Sequence, residues 1–243
     1  MLVGHFSAAL IGKSIKREIP LWHLMVAANA MDFLWIALNF LHIEAFAIID
    51  PGISGASAFF WLNLHTMPWS HGLLATLALS AVLGLLYLKF FTAKRYDIAL
   101  VIALIVWSHW WLDLIEHRPD LHVIGDNYQG WGLWSSVSAS LIIELGLFAI
   151  AMATYVIRTA KLPQSLFADE SFAQKYKLDS LWLFASILIV IQIAFSFIPP
   201  FKPECLFLIC FAMLISLVPL LSWLVDAKRG AHYRGATYLT TGK

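Results

Sequence analysis

Ile98–Glu116 reads IALVIALIVWSHWWLDLIE, and this stretch decides the fold. It is long and apolar enough to cross a bilayer, which needs about 20 residues of helix. It nevertheless carries His109 and Asp113 one helical turn apart, with His117 a further turn on. An ionisable group at membrane depth costs kilocalories unless it is paired, hydrated or metal-bound. Similar intrusions recur elsewhere. Asp32 interrupts a second apolar segment, Glu144 a third, and His71 stands at the head of a fourth. Several such groups in 243 residues are expected to meet one another.

The composition points the same way. The chain is 60% hydrophobic and 13% charged, with a mean hydropathy of +0.78, as in an all-α polytopic membrane protein. A formal charge of +1 leaves no basic face for gripping phosphates, so no nucleic-acid partner is expected. Cys205 and Cys210 stand five apart in an apolar segment and point to different sides of a helix, so neither a disulfide nor a thiolate site is expected. Basic residues follow the first apolar stretch rather than precede it, so no cleaved leader is expected.

Six spanning helices are expected over Leu21–Leu41, Pro68–Phe91, Ile98–Glu116, Ser135–Ile157, Ser180–Ile198 and Cys205–Val225. Pro20, Asp50-Pro51-Gly52, Arg118-Pro119-Asp120 and Pro199-Pro200 mark breaks between them. The apolar stretch Met1–Gly12 is too short to span and is expected to form a helix lying beside the first span. Of the 16 Lys and Arg, all but Arg118 and Lys202 fall in the turns and tails of one side. The positive-inside rule puts that side, and both termini, in the cytoplasm. His42–Met67 and His117–Trp134 are then extracytoplasmic loops. Residues 1–157 carry the polar site, 158–179 form a cytoplasmic loop, and 180–243 supply two scaffold helices, with Pro219 a kink, and a tail.

Depth allows convergence. At about 1.5 Å per residue His5 lies roughly 12 Å above the Lys13–Glu18 turn, Asp32 about 18 Å above Pro20, and His109 and Asp113 roughly 16 and 22 Å above the start of their span. His71 is about one turn below the outer surface. Helix faces agree. His109, Asp113, Glu116 and His117 form one stripe; so do Asn29, Asp32 and Asn39, and Ser136, Ser140 and Glu144.

His and carboxylate together suit zinc, and also manganese or iron, and the i,i+4 pair His109–Asp113 can bind one ion from one helix face. His5, Asp32 and His71 complete a candidate metal set. Glu116 or His117 is the candidate general base, and Arg118 the candidate cation for an anionic headgroup. Plainer readings stand beside these. The His–Asp pair could be a structural hydrogen bond, Asp32 could pair with Asn or Ser neighbours, and Glu144 could be a protonated group packing helices. Trp69, Trp131 and Trp134 fit an interfacial belt, and Asp50-Pro51-Gly52 a turn.

Gly4-His5-Phe6, Asp32-Phe33-Leu34-Trp35, Pro68-Trp69-Ser70-His71, Ser108-His109-Trp110-Trp111-Leu112-Asp113 and His117-Arg118-Pro119-Asp120 occur in this order. The set resembles bacterial inner-membrane proteins described as metal-dependent hydrolases, related distantly to the YdjM-like family. The likeness covers roughly residues 1–145. It implies a metal site at His5, Asp32, His71, His109 and Asp113 and a place in the bacterial inner membrane. The Arg-Gly-x-Thr-His-Ser stretch of those proteins appears here as His65-Thr66-Met67-Pro68-Trp69-Ser70-His71. The expected function is hydrolysis of a lipid-borne or membrane-accessible ester or phosphoester. A transporter or proton relay using Asp32, Asp113 and Glu144, and a haem-binding or assembly subunit using two histidines, are the alternatives.

Overall fold

The computed structural model describes residues 1–92, 94–159 and 170–229, the last helix pair without the side chains of 170–178, 228 and 229. Eight α-helices run in order among them: α1 Val3–Ile15, α2 Leu21–Ala28, α3 Ala30–Phe40, α4 Leu73–Phe91, α5 Tyr96–Glu116, α6 Val137–Thr159, α7 Glu170–Phe197 and α8 Glu204–Arg229. α4, α5, α6 and α8, and Asp179–Phe197 of α7, are each long and apolar enough to span a membrane; α2 and α3 together make a sixth, bent span. The chain is a multi-pass, all-α membrane protein. α4 shows the consequence, since Leu74, Leu77, Leu85 and Leu86 stay exposed where hydrocarbon replaces water.

α1 is enclosed rather than lying on the surface. Ten of its thirteen residues are buried, packed against α6, α2 and α5. It begins deep in the bundle, where Glu144 of α6 accepts hydrogen bonds from Leu2 N and Gly4 N, both at 2.9 Å. These are donors that a helix start leaves without a partner. At its other end Lys13, fully buried, donates to Ile19 O at 2.7 Å and pairs with Asp226 of α8 at 3.4 Å.

The first span is broken, not straight. α2 and α3 meet at a 51° bend at Asn29. Its side-chain amide donates to Met25 O at 3.2 Å, the carbonyl that its own backbone N–H also reaches. Such side-chain competition bends helices. Other expected bounds moved. Pro68–Gly72 is a turn and α4 starts at Leu73. α7 starts at Glu170, so the expected loop 158–179 is in part helix, and α8 continues through Pro219 as one element. Ser136, expected on the inward stripe with Ser140 and Glu144, is exposed at the head of α6.

Both long loops carry hairpins that periodicity did not announce. β1 (Ala45–Ile48) pairs with β2 (Leu62–Thr66), and β3 (Leu121–His122) with β4 (Tyr128–Gln129). Leu62 and Leu64 turn inward. The second loop folds back over the end of α5, where Trp131 N donates to Leu114 O at 2.8 Å and Gly132 N to His117 O at 2.6 Å. Gly130 permits this, because a Cβ there would lie 2.0 Å from Arg118 O.

At the opposite end Lys16, Glu18, Arg95 and Asp97 form a surface network at 2.6–2.9 Å that ties the α1–α2 turn to the start of α5. Two groups of basic residues therefore share one end. Segments 160–169 and 230–243, with further basic residues of the orientation argument, lie outside the described residues. With Cys205 and Cys210 replaced by Ser, Asn127→Cys is expected to react with an impermeant thiol reagent from outside the cell, and Lys94→Cys only after permeabilisation. The reverse pattern would overturn the cytoplasmic placement of the basic end.

Candidate metal centre

Four imidazoles point their Nε2 atoms at two buried carboxylates. His109 Nε2 is 3.1 Å from Asp113 Oδ2 and 3.8 Å from Asp32 Oδ1. His71 Nε2 is 3.6 Å from Asp113 Oδ2 and 3.7 Å from Asp32 Oδ1. On the other oxygen, Asp113 Oδ1, stand His5 Nε2 at 3.0 Å, His117 Nε2 at 3.6 Å and the Met1 amino nitrogen at 2.5 Å. His5 and His109 stack with centroids 3.6 Å apart and planes 5° from parallel. His71, His109 and Asp113 each offer an atom within 4.8 Å of the others, and so do His5, Asp32 and His109. His5, His109 and Asp113 are each 1% exposed.

These residues come from four pieces of chain, and local structure aims each of them. His109, Asp113 and His117 lie one turn apart along α5 and at its end, as the i,i+4 spacing requires. Asp32 sits in the first turn of α3, turned inward by the break at Asn29. The same break leaves Ala28 O for His109 Nδ1, at 2.8 Å. His71 is held by the turn before α4. Its Nδ1 lies 2.9 Å from Ser70 Oγ, which donates to Glu44 Oε2 at 2.6 Å. Glu44 also takes Trp69 N and Ser70 N at 2.8 and 2.9 Å. His117 Nδ1 meets Asp120 Oδ1 at 3.0 Å.

So three of the four rings spend Nδ1 on an outer acceptor or hydroxyl and turn Nε2 to the centre. That is how metal-binding histidines are held, with the outer partner fixing tautomer and ring orientation. Two further observations fit a cation. The Nε2 atoms of His5 and His109 are buried and, although 3.0 and 3.1 Å from Asp113, make no aligned hydrogen bond among the described residues. The four distances from His71 and His109 to the two Asp oxygens, 3.1–3.8 Å, bracket the edge of about 3.4 Å expected between neighbouring ligands of a tetrahedral zinc.

A cavity of about 40 Å³ opens from Asp32, His71, Asp113 and His117. Apart from Met1, whose amine sits on Asp113, its other walls are apolar and include Trp134, Phe207 and Phe211. Trp134 is not a rim residue as Trp69 and Trp131 are. It is 4% exposed and packs on His117 with centroids 4.3 Å apart.

The remaining site candidates sit elsewhere. Glu116 is fully buried but off the cavity, accepting from Ser140 Oγ at 2.8 Å. Arg118 donates to Phe60 O and lies over the Phe60 ring, 4.2 Å from its centroid, so its guanidinium is already engaged. Glu144 holds the start of α1 and takes Gln192 Nε2 at 3.1 Å, and Asn29 marks the helix break. α7 and α8, read from sequence as scaffold, thus contribute Gln192 and the Phe207–Phe211 wall. Sequence reasoning passed over Glu44, Ser70 and Asp120. Ser70 beside His71 and Asp120 three residues after His117 were readable as partners; Glu44 carried no local signal.

Comparisons with protein-family models, curated proteins and solved structures find no match for this chain.

Proposed function

We propose that the protein is a membrane-embedded metal-dependent hydrolase of the bacterial inner membrane, acting at the outer face on a lipid-borne or membrane-accessible ester or phosphoester. The observation that carries this is the set of inward Nε2 atoms with their Nδ1 atoms anchored behind them. His71, His109 and Asp113 would hold the ion, zinc before manganese or iron, with Asp32 and His5, which gather with His109 as a second set, as further donors. A divalent ion so held supplies a Lewis acid and lowers the pKa of bound water.

The chain's own residues do the rest. His117 lines the cavity with Nε2 free of an outer partner, because Asp120 engages Nδ1. It is placed to take a proton from the attacking water and return it to the leaving alkoxide. The water oxygen bonds to the acyl carbon or phosphorus, the ester C–O or P–O bond breaks, and acid and alcohol result. Trp134 and the Phe207–Phe211 wall keep bulk water from the cavity, which strengthens every charge interaction inside it. The cavity of about 40 Å³ suits an ion and water rather than a porphyrin, which favours this reading over a haem-binding subunit.

Elemental analysis of purified protein, with hydrolysis of a panel of carboxylic and phosphate esters, tests the reading. About one equivalent of a transition metal and hydrolysis abolished by chelator and restored by zinc are expected. A metal-free preparation that hydrolyses esters, or a metal-loaded one that hydrolyses none, would sink it.

A further inference from the structure

A second cavity, about 130 Å³, lies between the 3₁₀ turn Ala58–Trp61, the outer end of α7 and the first turns of α8. Its lining is apolar: Ala194 and Phe195 of α7, Ile198 and Pro200 in the connecting turn, and Cys210 in α8 among others. Four residues, Phe59, Leu62, Phe207 and Phe211, line both this cavity and the one at the His/Asp cluster. The apolar space therefore adjoins the polar one, with these four side chains between them. An apolar cavity of similar size, about 150 Å³, stays dry and takes up a hydrocarbon ring.

Position says which hydrocarbon. Phe211 is seven residues into α8, about 10 Å below its outer end. Ile198, 65% exposed, and Phe201, 44% exposed, stand at the mouth of the groove in the turn that joins two membrane-spanning helices. Charge says which head. The polar walls at the shared end are carboxylates and imidazoles. The Met1 amine is paired with Asp113, and Arg118 is committed to Phe60. Among the described residues no Lys or Arg lines either cavity, and the Met1 amine that does is already paired, so a bound ion alone would face the head, which suits a neutral ester better than a charged phosphate.

We infer that this groove binds the acyl chain of a membrane lipid, entering sideways from the bilayer, and delivers a neutral carboxylic ester, not a phosphoester, to the His/Asp cluster; the choice of ester rests on the hydrolase reading above. Phe59, Leu62, Phe207 and Phe211 form the collar through which the chain passes. Chain length is then a specificity determinant set by α7 and α8.

Full-length protein in phosphatidylcholine nanodiscs, doped with a phosphatidylcholine carrying a diazirine midway along one acyl chain, is photolysed and its adducts mapped. Adducts are expected on Phe195, Cys210 and Phe211. Ala194→Trp, which fills the groove, should lower them about tenfold, a loss of roughly 1.4 kcal/mol of site preference, while adducts at lipid-exposed Leu85 stay constant. Cys210→Trp is the second filling variant, and both are checked for wild-type melting. In parallel, hydrolysis of long-chain esters should fall at least about tenfold in either variant while acetyl ester turnover holds. Groove adducts no denser than those at Leu85, or insensitive to both variants, overturn the groove. Groove adducts with a wild type inactive on every ester leave the groove standing and remove the hydrolase. Phosphoesters turned over in preference to carboxylic esters overturn the choice of ester.

Discussion

His109→Ala and Asp113→Asn are each expected to strip the protein of bound metal and take hydrolysis to background, with helical content unchanged. His109 Nε2 lies 3.1 Å from Asp113 Oδ2 without an aligned hydrogen bond, and its Nδ1 contact to Ala28 O is one bond at a break already present. Asp113 meets every histidine of the cluster, so its charge would hold a bound cation more than any other group. The loss should exceed the roughly 10–100-fold drop in affinity that follows mutation of a residue behind a ligand. Thermal melting separates this from packing. A metal present at 100 times its dissociation constant stabilises by about 2.7 kcal/mol. Chelator should lower the wild-type melting temperature and leave both variants unmoved. If the cluster is only structural, chelator changes nothing and each variant instead loses about 1–3 kcal/mol from a buried group without its partner.

Glu144→Gln is expected to destabilise the protein by about 1–3 kcal/mol, and Glu144→Ala by more. All three partners of this side chain are donors: Leu2 N, Gly4 N and Gln192 Nε2. An amide must present its NH₂ to one of them. Gln192 cannot turn over to accept it without penalty, because its Oε1 takes Val3 N at 3.2 Å and its Nε2 also donates to Ser196 Oγ at 3.2 Å. The start of α1 would then lose its anchor, and with it the placement of His5. Detergent melting of the purified variant measures the effect, and a wild-type melting temperature for Glu144→Gln would show that these hydrogen bonds hold nothing. A helix-packing glutamic acid read from sequence alone would have tolerated the amide; three converging donors do not.

The α5 stripe shows what could be read without a structure. Apolar length marks a span, and the 3.6-residue period puts His109, Asp113 and His117 on one face, whatever surrounds the helix. The same reasoning marked α1, α4, α6 and α8 and named Asp32, His5 and His71 as groups that hydrocarbon would not leave alone. These are local properties, carried by neighbours within a turn or two.

Tertiary structure decided what is not local. The break at Asn29 depends on a side chain choosing Met25 O over solvent, and it both turns Asp32 inward and frees Ala28 O for His109. Glu44, 26 residues from Ser70, becomes a support for His71 only because the first hairpin folds over the bundle. Trp134 leaves the rim for the cavity wall because Gly130 lets its loop cross the end of α5. Gln192, Phe207 and Phe211 read as ordinary residues of apolar spans until α7 and α8 pack beside the cluster. Helical period is written in every stretch of the chain. The order in which helices pack is set by side-chain fit between segments distant in sequence, and the second partner of each buried polar group is chosen there.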